Sequence, residues 1–160
     1  MQLLIAAVGR LKQGPERDLA LHYAKRIDAA GPGVALGPIA IVELAESRAA
    51  SVPLRKADEA ERLLASAAKV ETMIVLDETG KPSSSRQFAD YLGKLRDDGC
   101  GKLGFVIGGP DGHGAAVLAR ASRNLSLSSM TLPHGLARIM LLEQIYRAVT
   151  LLSGHPYHRD

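Results

Sequence analysis

The sequence predicts an α/β domain: a mainly parallel sheet with helices on both faces. Two observations predict it. Short apolar runs ended by glycine or a turn alternate along the whole chain with longer stretches of helical spacing. The runs are apolar throughout instead of alternating with polar residues, as strands covered on two sides are. No internal repeat, low-complexity tract or linker interrupts the pattern, so residues 1–160 read as one domain.

In order, Leu3 to Val8 is a buried strand ended by Gly9. Pro15 opens a helix to about Ala29, with Leu19, Tyr23 and Ile27 at fourfold spacing. The breakers Gly31-Pro-Gly33 and Gly37-Pro38 lead into a second strand, Ile39 to Leu44. Glu46 to Pro53 reads as an exposed loop, and Leu54 to Lys69 as a helix rich in Ala, Leu, Glu and Arg. Met73 to Leu76 is a third strand, ended by Asp77-Glu-Thr-Gly-Lys-Pro82. Ser83 to Ser85 offers a cap for a helix over Arg86 to Arg96, whose inner face is Phe88, Leu92 and Leu95.

Leu103 to Pro133 is the stretch the rest serves. The apolar run Leu103-Gly-Phe-Val-Ile107 is followed at once by Gly108-Gly-Pro-Asp-Gly-His-Gly114. A short helix, Ala115 to Ser122, and a strand-like run, Leu125 to Leu132, come next. A buried strand ending in glycines sets bare backbone N–H groups at the carboxyl edge of a sheet, where open α/β sheets bind small ligands. Gly108 and Gly109 let a ligand lie close. Ser128, Ser129 and Thr131 add small polar groups, and Leu76, Leu127, Met130 and Leu132 supply apolar walls. Such a pocket suits an adenosine with an uncharged tail better than a polyphosphate.

Familiar motifs fail here. Gly109 and Gly114 have Walker-loop separation, but Ala115 and Ala116 follow where Lys and Ser/Thr are needed. The dinucleotide fingerprint is not met, and Leu132 stands where an acid would hold a ribose. His155 and His158 are the only close His pair, with one cysteine and no carboxylate cluster beside them, so no metal is expected. No Gly-x-Ser-x-Gly elbow exists for a hydrolase.

The last helix, roughly Leu136 to Ser153, has one narrow polar stripe, Glu143, Gln144, Arg147 and Thr150. A surface helix buries about 100° of its circumference. This one must bury more, inside its own domain or on a second subunit, and a dimer interface is the reading favoured for so small a domain.

An apolar content of 46% with 23% charge describes a globular chain. Aromatics make up 4% and tryptophan is absent, which argues against a platform for stacking bases. A net charge of +3, spread without a run, permits a nucleic-acid partner without showing one. The single Cys100 excludes an internal disulfide and fits a reducing, cytoplasmic setting. The apolar start reads as a strand, too short for a membrane span and lacking the positive lead of a signal peptide.

Five segments together carry a resemblance. They are Val75-Leu-Asp77 with Gly80-Lys-Pro82, Ile107-Gly-Gly-Pro-Asp-Gly112, Leu125-Ser-Leu-Ser with Met130-Thr-Leu-Pro-His134, Glu143-x-x-Tyr-Arg147, and His155-Pro-Tyr-His-Arg159. In order and spacing, from Met1 to the end, the chain resembles the RlmH-type family of SPOUT-class ribosomal RNA methyltransferases. The resemblance implies a C-terminal deep trefoil knot, which no sequence rule would suggest. It implies a homodimer, S-adenosyl-L-methionine as methyl donor, and N3-methylation of a pseudouridine in the ribosomal RNA of the large subunit, on the assembled ribosome. Donor contacts would fall on Leu76, Gly108, Leu127, Ser128, Ser129, Met130, Thr131 and Leu132. The tail, Tyr157, His158 and Arg159, would complete the catalytic site in the neighbouring subunit. His113-Gly114 departs from the family's usual loop.

Chemistry fits those roles. N3 of a pseudouridine must lose its imide proton to attack well; His158 titrates in the right range for a base. Arg159 suits a carbonyl oxygen or phosphate, and Tyr157 suits orienting the base ring. Two other readings stay open from residues alone: a non-catalytic basic RNA-binding dimer, and a small-molecule nucleotide-binding enzyme. Basic residues such as Arg10, Lys12 and Arg55 could grip RNA, though a plain surface role is favoured for each, and Arg138 and Arg147 suit phosphates or subunit contacts equally.

Overall fold

The structure, a computed structural model, describes residues 1–157. Five strands form one parallel sheet: β1 (Gln2–Val8), β2 (Ile39–Leu44), β3 (Thr72–Pro82), β4 (Lys102–Ile107) and β5 (Arg123–Ser126). Their order across the sheet is β2-β1-β4-β3-β5. Helices α1 (Pro15–Ala30), α2 (Val52–Ser66), α3 (Ser85–Asp97), α4 (Ala115–Arg120) and α5 (His134–Leu152) connect and cover it, with a 3-10 turn at Gly31–Val34.

The apolar runs of the strands split by parity into two cores. Leu3, Ile5 and Ala7 of β1 face the larger core, shared with Ile27 of α1, Leu92 of α3 and Leu142 of α5. Leu4, Ala6 and Val8 face the other, against Ala60 and Leu63 of α2 and Val117 of α4. A sheet buried on both faces is therefore what the continuous apolar runs encoded.

Helix starts follow local chemistry. Pro15 sits in the first turn of α1, where its missing N–H costs nothing. Ser84 caps α3 through a capping box with Gln87: the Ser84 hydroxyl accepts from the Gln87 N–H at 3.1 Å. Pro53 is likewise tolerated in the first turn of α2, so that helix starts earlier than the sequence predicts, and it also ends earlier.

Two expectations around the site are corrected. The strand-like run Leu125 to Leu132 stops at Ser126. The Ser126 hydroxyl donates to the Ser128 carbonyl at 2.8 Å, and the Ser128 hydroxyl accepts from the Met130 N–H at 2.9 Å. These local bonds turn the chain out of the sheet. Conversely, β3 does not end at Leu76 but runs to Pro82. Both Leu76 and Lys81 register with Leu125, so residues 77–80 bulge between them. Gly80 makes this possible, because a Cβ there would sit 2.8 Å from backbone carbons of Asn124 and Leu125.

The burial of α5 is also redistributed. Eleven of its residues are buried, and Leu141, Leu142, Ile145 and Val149 among them lie in the core shared with α1 and α3. The circumference for which the sequence favoured a second subunit is thus filled largely by this chain. Leu136 and Met140 remain exposed on the helix.

Candidate functional site

The carboxyl ends of β3, β4 and β5 converge on an open hollow of about 920 Å³. Leu76 and Gly108 enter it from the strand ends, and Leu127, Ser128, Met130, Thr131 and Leu132 form the facing loop. Ser129, the remaining residue of that run, is exposed and is not part of the wall. Met130 is 74% exposed, so it lies at the rim. The volume is that of a site for a drug-sized molecule.

The hollow is lined by charged side chains, Lys56, Asp77, Glu78 and Asp111, as well as by apolar and small polar ones. Thr79 donates from its N–H to Asp77 Oδ1 at 2.8 Å, fixing the β3 bulge as an Asx turn. The Thr79 hydroxyl also holds the Asp77 carboxyl below the usual carboxylate range. The Thr131 hydroxyl donates to Glu78 Oε2 at 3.2 Å, joining the loop after β5 to that bulge.

The glycine loop after β4 is a turn closed by the Gly112 N–H donating to the Gly109 carbonyl at 2.9 Å. Gly112 has φ +79°, a left-handed conformation that suits glycine. Three side chains that sequence reasoning left out of the site hold this loop. Arg55 donates from Nε to Asp111 at 2.6 Å, with the second nitrogen on the other carboxylate oxygen at 3.3 Å. That pairing keeps the Asp111 carboxyl low. Glu59, buried, lies so close beneath Gly109 that a Cβ there would be 2.8 Å from its Oε2. His113, buried, places Nε2 2.8 Å from the Leu76 carbonyl.

Arg55, one of the cations left open to an RNA role, grips Asp111 in the structure. Arg10, Lys12 and Arg48 stay exposed on the loops that follow β1 and β2, at the same carboxyl edge as the hollow. Lys56 lines the hollow itself.

The far wall comes from Pro133, His134 and Ala137 at the start of α5. Gly9 makes room for His134, since a Cβ there would meet the ring nitrogen at 2.7 Å. One turn on, Arg138 is fully buried. It pairs with Glu43 of β2 and donates to the Gly9 carbonyl at 2.8 Å. Glu43 also accepts from the Leu11 N–H at 2.9 Å. Burial pulls the Arg138 guanidinium below its ordinary value while Glu43 opposes the shift.

Of the predicted tail residues, His158 and Arg159 lie outside the described residues. Tyr157 is described, and it is not in the hollow. Its ring packs edge-on against Tyr146 with centroids 4.9 Å apart, beneath the Arg147 guanidinium at 4.9 Å. Glu143, to which it bonds, lies nine positions beyond His134, about 14 Å along the helix at 1.5 Å per residue. Among the described residues no three His, Cys, Asp or Glu gather as for a metal ion, and no helix is long and apolar enough to cross a membrane.

The chain is similar to known proteins in sequence and in fold. A family model described as "Predicted SPOUT methyltransferase" matches residues 1–158. A ribosomal RNA large subunit methyltransferase H of Brucella anthropi is 47% identical over 160 residues, covering all of both chains. A protein of the same name from Rhizobium meliloti is 52% identical over 159 residues, 99% of each. Among solved structures, a probable methylase family protein from Haemophilus influenzae matches 99% of this chain and 70% of its own, with TM-score 0.55 and 12% identity. A probable methyltransferase from Bordetella pertussis matches 92% of this chain and 96% of its own, with TM-score 0.53 and 16% identity. These two structures show likeness of fold.

Proposed function

The chain belongs to the SPOUT methyltransferases, in the family of ribosomal RNA large subunit methyltransferase H, and from that premise we propose that it transfers a methyl group from S-adenosyl-L-methionine to N3 of a pseudouridine in large-subunit ribosomal RNA. The observation that carries the reading is the hollow walled by Leu76, Gly108 and the 127–132 loop.

Its residues fit the donor. Leu76, Leu127 and Leu132 give an adenine ring two apolar sides, the Gly108 backbone borders the hollow, and Ser128 and Thr131 suit ribose hydroxyls. When bound, the donor supplies a methyl group activated on a sulfonium. The walls exclude water and hold acceptor and donor in line, which lowers the entropic part of the barrier. His158 takes the imide proton, Arg159 holds a carbonyl oxygen or phosphate beside the developing anion, and Tyr157 orients the base.

We further infer a homodimer. Within one chain Tyr157 bonds at mid-α5, well along the helix from the hollow, so the tail serves the hollow of a second copy. The exposed Leu136 and Met140, with Met130 at the rim, give that copy an apolar surface to cover. The whole of residues 1–160 acts as one catalytic domain in the cytoplasm, on the assembled ribosome, with its C-terminal third threaded as a trefoil knot. Consistent with threading, β5 lies outside β3 while α5 returns to the core between α1 and α3.

Calorimetric titration with S-adenosylmethionine, together with mass spectrometry of ribosomal RNA from cells lacking the protein, tests the reading. Micromolar donor binding and loss of one methylated pseudouridine are expected. An unchanged modification map counts against it.

A further inference from the structure

His113 is buried in the wall of the hollow, 6% exposed. The Leu76 carbonyl that faces its Nε2 can only accept a hydrogen bond, so Nε2 carries the ring proton. Nδ1 is then the bare nitrogen, and it has no hydrogen-bond partner. Against the other side of the ring lies the Gly108 backbone: a Cβ on Gly108 would be 3.1 Å from Cε1 and 3.2 Å from Nδ1. One neutral imidazole therefore lies between Leu76, just before the β3 bulge, and Gly108, just after β4, both of which line the hollow.

We propose that His113 is a positioning residue for the methyl donor, acting through the Leu76 carbonyl and the Gly108 backbone, and that it does so only in its neutral form. The inference rests on the donor reading above.

The surroundings favour the neutral ring. Burial holds His113 below the ordinary histidine value, and Lys56 of α2 acts in the same direction. The Leu76 bond, Asp77 of β3 and Glu59 of α2 act the other way. Asp111, on the same loop, is occupied by Arg55. A second proton on Nδ1 would put a cation where no acceptor waits. A donor in the hollow adds a sulfonium cation and removes water, so it opposes that proton further. The sign follows. Donor affinity is at its plateau while the ring is neutral, above the ordinary value near 6.5. It falls as pH drops through the ring's own value, by at most about tenfold per pH unit.

The experiment is calorimetric titration of the whole protein with S-adenosylmethionine between pH 5 and 8, on the wild type, His113→Gln and His113→Ala. Each is accompanied by a melting curve and an NMR titration of the wild-type imidazole with and without donor. The wild type should lose affinity as pH falls through the ring titration that the NMR locates, and donor should move that titration to lower pH. His113→Gln keeps an N–H for Leu76 and cannot titrate, so whatever its affinity its profile should be flat across this range. His113→Ala should bind about tenfold more weakly at pH 8. A His113→Gln profile as steep as the wild type's would overturn the proposal. So would a ring titration indifferent to donor, or a well-folded His113→Ala with unchanged affinity. A wild type that binds no donor at pH 8 removes the donor reading itself, a result distinct from these.

Discussion

The Tyr157 hydroxyl donates to Glu143 Oε1 at 3.2 Å, which folds the chain's tail back along its own last helix. Burial, with Glu143 and Tyr23 adding to it, pushes the phenol up to about 12. Tyr157 is therefore a neutral donor at any physiological pH and not a base. Its folded value lies above the ordinary one near 10, so this contact is intact below pH 10 and loosens between about 10 and 12. The tail leaves the same helix that walls the hollow. Deleting residues 157–160 should abolish methyl transfer and leave donor affinity within about twofold of wild type. Mixing that truncated chain with Gly108→Val, whose side chain would press on the His113 ring and disrupt its own glycine loop, should restore activity in the mixed dimers. Transfer of labelled methyl to ribosomes reads both; a silent mixture would show that the tail does not act across subunits.

The glycine loop depends on Arg55. With the Asp111 carboxyl held low by this guanidinium, the pair persists at neutral pH and loosens only as pH falls below the carboxylate range. Arg55→Ala should free the Gly109–Gly112 turn and weaken donor binding several-fold. Arg55→Lys should rescue only part of this, because an ammonium lacks the two-pronged fit to a carboxylate. Calorimetry on both variants checks the order.

Much of this was legible in the sequence. Continuous apolar runs located β1, β2, β4 and the first half of β3, and the glycine loop pointed to the sheet edge where the hollow lies. What was not legible depended on contacts between distant segments. Nothing local distinguishes Gly80 from an ordinary turn glycine; its role is to let residues 80–82 lie on the β5 backbone. Periodicity read Leu125 to Leu132 as a strand because alternating serines mimic one, whereas Ser126 and Ser128 use their hydroxyls to turn the chain. His113 and Glu59 were passed over because a lone His or Glu carries no pattern. A buried polar residue beside a glycine loop is the signal that would have found them. Arg55 looked like a phosphate ligand because its partner Asp111 is 56 residues away.

The close pairing of the β3 bulge with β5 gives a stability test. The atoms that would meet a Cβ on Gly80 are backbone, which cannot swing aside as a flexible side chain does. Gly80→Ala should cost about 1–3 kcal/mol, as overpacking does, and weaken donor binding because Asp77 and Glu78 move with the bulge. Gly33→Ala, with nothing within 4 Å of its Cβ, is the control and should be neutral. Urea unfolding of the two variants measures the difference.

RNA and donor should be separable on this surface. Arg10 and Lys12 extend from the loop after β1, and Arg48 from the loop after β2, all exposed beside the hollow without lining it. Surface cations that meet phosphates add affinity through counterion release, without touching the donor. Arg10→Glu combined with Lys12→Glu should therefore lower binding to ribosomes and flatten its dependence on salt. Donor affinity and melting temperature should stay near wild type, since Gly9 and Leu11, which bond Arg138 and Glu43 through their backbones, are untouched. The contrasting variant is Glu43→Gln. It leaves the buried Arg138 with less compensation and should destabilise the fold by about 3 kcal/mol, lowering donor and ribosome binding together. Equal loss of both affinities in the Arg10, Lys12 double variant would place those cations in the fold's support and not on the RNA.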